Sequence, residues 1–131
     1  MRNLEIITNN PSLKPVFAEK YPNLQCLIDY ENVSFIGLME IVRDRVHKGA
    51  KILTHPLDGS VKPMETPYKS ILIDDVQGAL DFDSLDLIEN AIITCRKFHL
   101  QEREFLPEVQ DDFQVIDRSL IESALDTARL Y

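Results

Sequence analysis

Lys51-Ile52-Leu53-Thr54-His55-Pro56-Leu57-Asp58-Gly59-Ser60-Val61-Lys62-Pro63-Met64-Glu65-Thr66-Pro67-Tyr68-Lys69-Ser70-Ile71-Leu72-Ile73-Asp74 is the stretch on which the fold turns. Each end is a short apolar run of strand type. Between them lie three prolines, one glycine and several charged or reactive side chains with almost no apolar periodicity. A loop of this length without a helix or strand of its own is uncommon in a compact domain and often functional. With no helix to carry the chain back, the second run joins the sheet either parallel, by a looping crossover, or antiparallel, by a wide hairpin.

Outward from this stretch the elements alternate. Leu4-Glu5-Ile6-Ile7-Thr8 reads as a first strand ending in Asn9-Asn10-Pro11. A short helix is expected near Pro15 to Lys20, closed by Tyr21-Pro22, because the residue before proline avoids the helical region. Leu24 to Tyr30 reads as the second strand. Ser34 then caps an amphipathic helix in which Phe35, Leu38, Met39, Val42 and Val46 form one buried stripe. Arg43, Arg45 and Lys48 suit the negative end of that helix, and Gly49 stops it. Lys51 to Thr54 is the third strand and Ser70 to Asp74 the fourth. A long helix is expected from Ser84 to about Arg103, capped by Asp83, with Phe82 packing on Leu87 as a staple. Leu106 to Asp112 reads as a polar break, and Phe113 to Ile116 as a short extended piece or helix lead-in. Asp117 is expected to cap a final helix, Arg118 to about Leu130.

Strands alternating with helices predict an α/β fold. The expectation is a small three-layer Rossmann-like domain with about four mostly parallel strands flanked by helices. One domain spans residues 1–131, with the C-terminal helix, 117–130, packed on it.

The motifs in the long loop carry a resemblance. Thr54-His55-Pro56-Leu57 running into Gly59-Ser60-Val61-Lys62-Pro63, then Glu65-Thr66-Pro67-Tyr68-Lys69-Ser70, resembles the signature of the GrdX family. Thr8-Asn9-Asn10-Pro11 is similar to that family's opening motif. Asp81-Phe82, Ser84-Leu85 and Ile88-Glu89-Asn90 resemble its segment before a long helix. GrdX proteins are small and encoded beside the glycine, sarcosine and betaine reductase genes of amino-acid-fermenting anaerobes. The resemblance implies a setting, reductive amino-acid metabolism in a cytoplasm, and no catalytic residues.

Composition narrows the function classes. The chain has 131 residues, 44% of them hydrophobic, and a net charge of -8. From Met1 to Lys69 there are nine Lys/Arg against eight Asp/Glu; from Ser70 to Tyr131, five against fourteen. That acidic half argues against a nucleic-acid partner, which needs a basic face, and fits solubility or a basic protein partner. No apolar run approaches the roughly 20 residues of a membrane span, and Met1-Arg2-Asn3-Leu4-Glu5 opens no signal region. A cytoplasmic protein is expected. Cys26 falls in an apolar strand-like run and Cys95 on the apolar side of the long helix, and both read as small hydrophobes rather than redox or metal groups.

The candidate site follows from the strands. In open α/β sheets ligands bind outside the carboxyl ends of parallel strands. If the first and third strands are neighbours, Asn9, Asn10, Thr54 and His55 gather at one rim. The loop adds Asp58, Gly59, Ser60, Lys62, Tyr68 and Lys69. Gly59 to Lys62 is no P-loop, because the spacing is missing and Pro63 and Pro67 prevent the helix that would hold phosphate. Simple anion binding through loop amides, Ser60 and Lys62 is compatible with the residues. His55, Asp58 and Ser60 are too crowded in sequence for a hydrolytic relay. His47, His55 and His99 lie on separate elements, so no metal is expected, and the absence of G-x-G-x-x-G leaves no cofactor. His55 reads either as structural or as a lone acid-base group.

Two functions follow. The first is an accessory protein of the glycine, sarcosine or betaine reductase system that binds one of its protein components or a small anionic metabolite. The alternative is a small enzyme acting on an anionic metabolite, with His55 as acid-base and Lys62 or Lys69 holding the anion. Self-association into a homo-oligomer is compatible with either.

Overall fold

The structure, a computed structural model, describes residues 3–57, 66–97 and 106–128. Among them the chain forms β1 (Leu4–Thr8), α1 (Leu13–Lys20), β2 (Leu27–Tyr30), α2 (Phe35–His47), β3 (Lys51–Ile52), β4 (Ser70–Asp74), α3 (Phe82–Lys97) and α4 (Pro107–Ala128). The four strands make one sheet in the order β2-β1-β4-β3. β1 and β2 are parallel, with Ile6 opposite Ile28. β4 runs antiparallel to both of its neighbours, pairing Ile6 with Leu72 and Ile52 with Ile73.

This topology corrects the expected Rossmann-like sheet. β1, β2 and β3 do point the same way, but the one reversed strand, β4, sits between β1 and β3. Two of the three ladders are therefore antiparallel, and the sheet is mixed α/β rather than mostly parallel. The physical reason is the connection between β3 and β4. It contains no crossover helix among its described residues, and a wide hairpin places β4 antiparallel beside β3. The first and third strands are consequently not neighbours.

The core lies in two clusters, one on each face of the sheet. Ile7, Ile71 and Ile73 meet Leu38, Met39, Val42 and Val46 of α2 and Ile88, Ile92 and Cys95 of α3. Leu4, Ile6 and Leu72 meet Leu13 and Phe17 of α1 and Ile121 and Leu125 of α4. The alternation along β1 and β4 sends successive side chains to opposite faces. With helices on both faces, every β4 residue is buried.

α2 follows its sequence pattern closely. The Ser34 hydroxyl oxygen accepts the Gly37 amide at 3.1 Å, which satisfies one of the free donors at the helix start. Ser34→Ala should cost about 1 kcal/mol, read as a Tm lower by about 3–5 °C in a domain of this size; an unchanged Tm would contradict the cap. At the other end Gly49 has φ +107°, and a Cβ there would lie 2.7 Å from the Val76 carbonyl oxygen. Only glycine combines that conformation with that approach. Arg45, in the last turn, is held by Glu5 of β1, by Asp75 at 2.9 Å and by Asp29 at 3.8 Å. Its guanidinium is pushed further toward the charged form, first by its hydrogen bond to Glu5.

Three helix boundaries differ from expectation. α1 begins at Leu13 and admits Pro15, which falls in the first turn, where a missing N–H costs nothing. α3 is capped by Asp81, not Asp83: its carboxylate accepts the Ser84 amide at 3.3 Å and the Ser84 hydroxyl at 2.6 Å. Phe82 is 70% exposed and makes no staple. The largest change is at the C-terminus. α4 starts at Pro107, runs through the expected break, and places Asp117 mid-helix instead of at its start. Proline suits the first helical position, Glu108 complements the positive helix end, and no proline or glycine interrupts the rest. The parts of the expected helices at 98–103 and 129–130 lie outside the described residues.

Candidate functional site: a polar rim at one sheet edge

Because β4 is reversed, its N-terminal end lies at the same edge as the C-terminal ends of β1, β2 and β3. The segments leaving or entering the sheet there are Thr8-Asn9-Asn10, Tyr30-Glu31, Leu53-Thr54-His55 and Tyr68-Lys69-Ser70. All four segments lie at one edge of the sheet, but β4 is interposed between β1 and β3, so the condition for the expected gathering of Asn9, Asn10, Thr54 and His55 is not met. Asn9 and Asn10 stand beside Lys69 and Ser70, while Thr54 and His55 occupy the far side of β4.

Asn9 ties three segments together. Its side-chain amide donates to the Val33 carbonyl at 3.1 Å and the Pro67 carbonyl at 2.8 Å. Its oxygen accepts the Lys69 amide at 2.8 Å, and its own backbone N–H donates to the Lys69 carbonyl. Both amide hydrogens are used. Asn10 is engaged as fully: it donates to the Gln114 carbonyl at 3.0 Å and to Asp117 Oδ2 at 3.1 Å, and its oxygen accepts the Ser12 amide and hydroxyl. These two residues hold the rim together.

The centre of the rim is Asp117, which comes from α4 and which sequence reasoning placed at a helix cap. Its side chain is buried. Ser70 Oγ donates to Asp117 Oδ2 at 2.7 Å. With that hydrogen spent, Ser70 Oγ accepts from Thr8 Oγ1 at 2.7 Å, and Thr8 Oγ1 in turn accepts the Asn10 amide at 3.0 Å. The result is a directed chain of hydrogen bonds ending on a carboxylate. Burial pushes the Asp117 carboxyl above the usual carboxylate range, against the opposing pull of Ser70, Asn10 and the Lys69 charge. The neighbouring Arg118 donates to the Ser12 hydroxyl. Ser70 beside a carboxylate has part of the geometry of an activated nucleophile, but Ser70 is buried. The arrangement clamps α4 to the sheet edge and offers substrate no approach to the hydroxyl.

The other predicted residues are placed as follows. Thr54 Oγ1 accepts the Leu72 amide at 3.0 Å, taking the part of a ladder carbonyl just past the end of β3. His55 is exposed, and its Nδ1 accepts the Leu57 amide at 3.1 Å. The neutral ring then carries its proton on Nε2. Tyr68 is half-buried, its amide donating to Thr66 Oγ1 at 3.2 Å. Lys69 is buried. Asp58, Gly59, Ser60 and Lys62 lie outside the described residues, as does His99.

Sequence reasoning missed Thr8, Ser12, Ser70 and Asp117 as members of the rim. One signal was present: Asp117 stands one helical turn before Ile121 and two before Leu125, in line with the buried face. The cysteines give no reactive group here. Burial raises both thiols to about 11, so neither is a thiolate near neutral pH.

No curated protein and no solved structure matches the chain. The family model of GrdX-like proteins matches residues 5–126. That span takes in all the strands but for the first residue of β1, all the described helices but for the last two residues of α4, and the whole polar rim, so the chain belongs to the GrdX-like family.

Proposed function

We propose that this protein is an accessory component of the glycine, sarcosine or betaine reductase system of anaerobic amino-acid fermentation, working in the cytoplasm by binding a protein component or a small anionic metabolite. Membership of the GrdX-like family carries this reading. The geometry adds support: the amides of Asn9 and Asn10 and the hydroxyl of Ser70 are committed to holding the fold. The acidic C-terminal half suits a basic protein surface. A tagged copy expressed with the reductase components should retain one of them through washing at moderate salt and release it at high salt. Retention of none would count against the accessory role.

A second reading is favoured by His55. Its ring is exposed and its Nδ1 accepts the Leu57 amide. In that reading Lys62 or Lys69 holds an anionic metabolite. A thermal-shift screen with glycine, betaine, acetyl phosphate and nucleotides tests it. A ligand at about 100 times its Kd adds roughly 2.7 kcal/mol, a Tm rise of several degrees in this size class, and Lys62→Ala should abolish that rise. His55→Ala should leave Tm within about 2 °C, as for exposed positions generally, while removing any turnover. A large Tm loss would make His55 structural.

A further inference from the structure

α4 carries a second apolar row besides the one that meets the core. Asp117, Ile121 and Leu125 face the sheet. Leu106, Val109, Phe113, Ile116 and Leu120 recur at alternating steps of three and four, the spacing of a helix-pairing seam. Leu106 begins this row at the helix cap, its carbonyl accepting the Gln110 amide at 3.0 Å. Leu106 is 68% exposed, Ile116 52% and Leu120 39%, while Val109 and Phe113 are half-buried. From Pro107 to Ile116 no residue of α4 is buried. A helix this polar on its remaining faces gains its stability from packing an apolar face, and this half packs little of one onto the sheet.

The charges beside the row select the occupant. Glu108 and Asp112 flank it on the solvent side, Asp111 lies further round, and no Lys or Arg occurs from Pro107 to Asp117. A second copy of this chain would bring the same carboxylates to the same seam, which like-charge repulsion disfavours. A helix with an apolar seam edged by Lys and Arg meets both requirements.

We propose that the row Leu106–Val109–Phe113–Ile116–Leu120 is a docking surface for a basic amphipathic helix of a partner protein. The proposal deepens the accessory reading and rests on it for where the partner is found; the surface itself is read from α4 alone.

The test uses the whole chain and a fluorescent synthetic peptide of about three heptads, with leucine at the seam positions and lysine beside them. A peptide with glutamate in place of lysine is the control. The lysine peptide should bind wild type and bind the doubly substituted I116Q/L120Q protein at least tenfold more weakly. Both positions are exposed, so circular dichroism should show the variant folded. Glu108→Lys with Asp112→Lys should reverse the preference toward the glutamate peptide. Equal binding of the two peptides, or binding of neither, overturns the proposal. So does a self-association of wild type that I116Q/L120Q abolishes, which would make the occupant a second copy. The same variant separates this surface from the accessory role. If I116Q/L120Q still retains a reductase component, the surface is wrong and the role stands. If the peptide binds as described and no component is retained, the surface stands and the role fails.

Discussion

Asp117→Ala should lower stability by about 2–4 kcal/mol, because it strips a buried network of its acceptor and leaves donors unpaired. In a domain of this size that is a Tm loss on the order of 10 °C. The stranded groups are the Ser70 hydroxyl and one hydrogen of the Asn10 amide. Asp117→Asn keeps an oxygen for Ser70 and should cost less than half as much. Ser70→Ala should fall between the two, since it breaks the links to both Thr8 and Asp117. The pH dependence has a definite sign. The folded carboxyl titrates above its ordinary value of 3.8, so the folded state holds this proton where the unfolded chain has lost it. Between 3.8 and the raised folded value this group's contribution falls as pH rises, and is regained on acidification. The stability difference between wild type and Asp117→Asn should therefore shift in favour of wild type as pH drops through that window. Urea denaturation at several pH values measures it, and a difference independent of pH would contradict the buried, raised carboxyl.

Asn9→Asp should be worse than Asn9→Ala, which reverses the usual ranking of a near-isosteric change against a truncation. The side-chain nitrogen faces two carbonyl oxygens, those of Val33 and Pro67. Aspartate would put a carboxylate oxygen against both and remove two donors. Alanine leaves the Lys69 amide and two carbonyls without a partner, a loss of about 2–3 kcal/mol. Aspartate adds the repulsion and the burial of a charge, for a total of about 4 kcal/mol or more. The loosened segments would be the β2–α2 connection and the approach to β4. Amide hydrogen exchange should therefore quicken first at Lys69. If Asn9→Asp proved the milder of the two, the amide would not be oriented as described.

Much of the fold is legible in the sequence where local chemistry and tertiary packing agree. α2 is the clearest case: Ser34, the apolar stripe from Phe35 to Val46 and Gly49 define start, face and stop, and each does so in the structure. β1 and β4 likewise occupy the residues that their apolar runs predict. Legibility fails where two local signals compete. Asp117 is a good capping residue by type, and the stretch before it is polar, so a cap and a break are the natural reading. The continuous helix arises because Pro107 starts it and nothing between Pro107 and Asp117 stops it. Sheet order is a different failure. Local pattern places β3 and β4 but not the reversed insertion of β4 beside β1, which is a long-range choice. The rim shows the same divide. Asn9, Asn10 and Lys69 are identifiable as residues at strand ends, but the chain of hydroxyls joins Thr8, Ser70 and Asp117, far apart in sequence.

Membership of the GrdX-like family is what the proposed accessory role rests on. The polar groups at the rim's centre are occupied in holding α4, and Leu106, Ile116 and Leu120 are exposed along it.

The most direct test is sedimentation velocity of the purified chain mixed in turn with each purified component of glycine, sarcosine and betaine reductase. An accessory role predicts that one component shifts the chain into a faster, stoichiometric complex that weakens as salt is raised. If the chain sediments alone in every mixture while a metabolite raises its Tm and is turned over in a His55-dependent way, the accessory account is contradicted and the protein is a small enzyme.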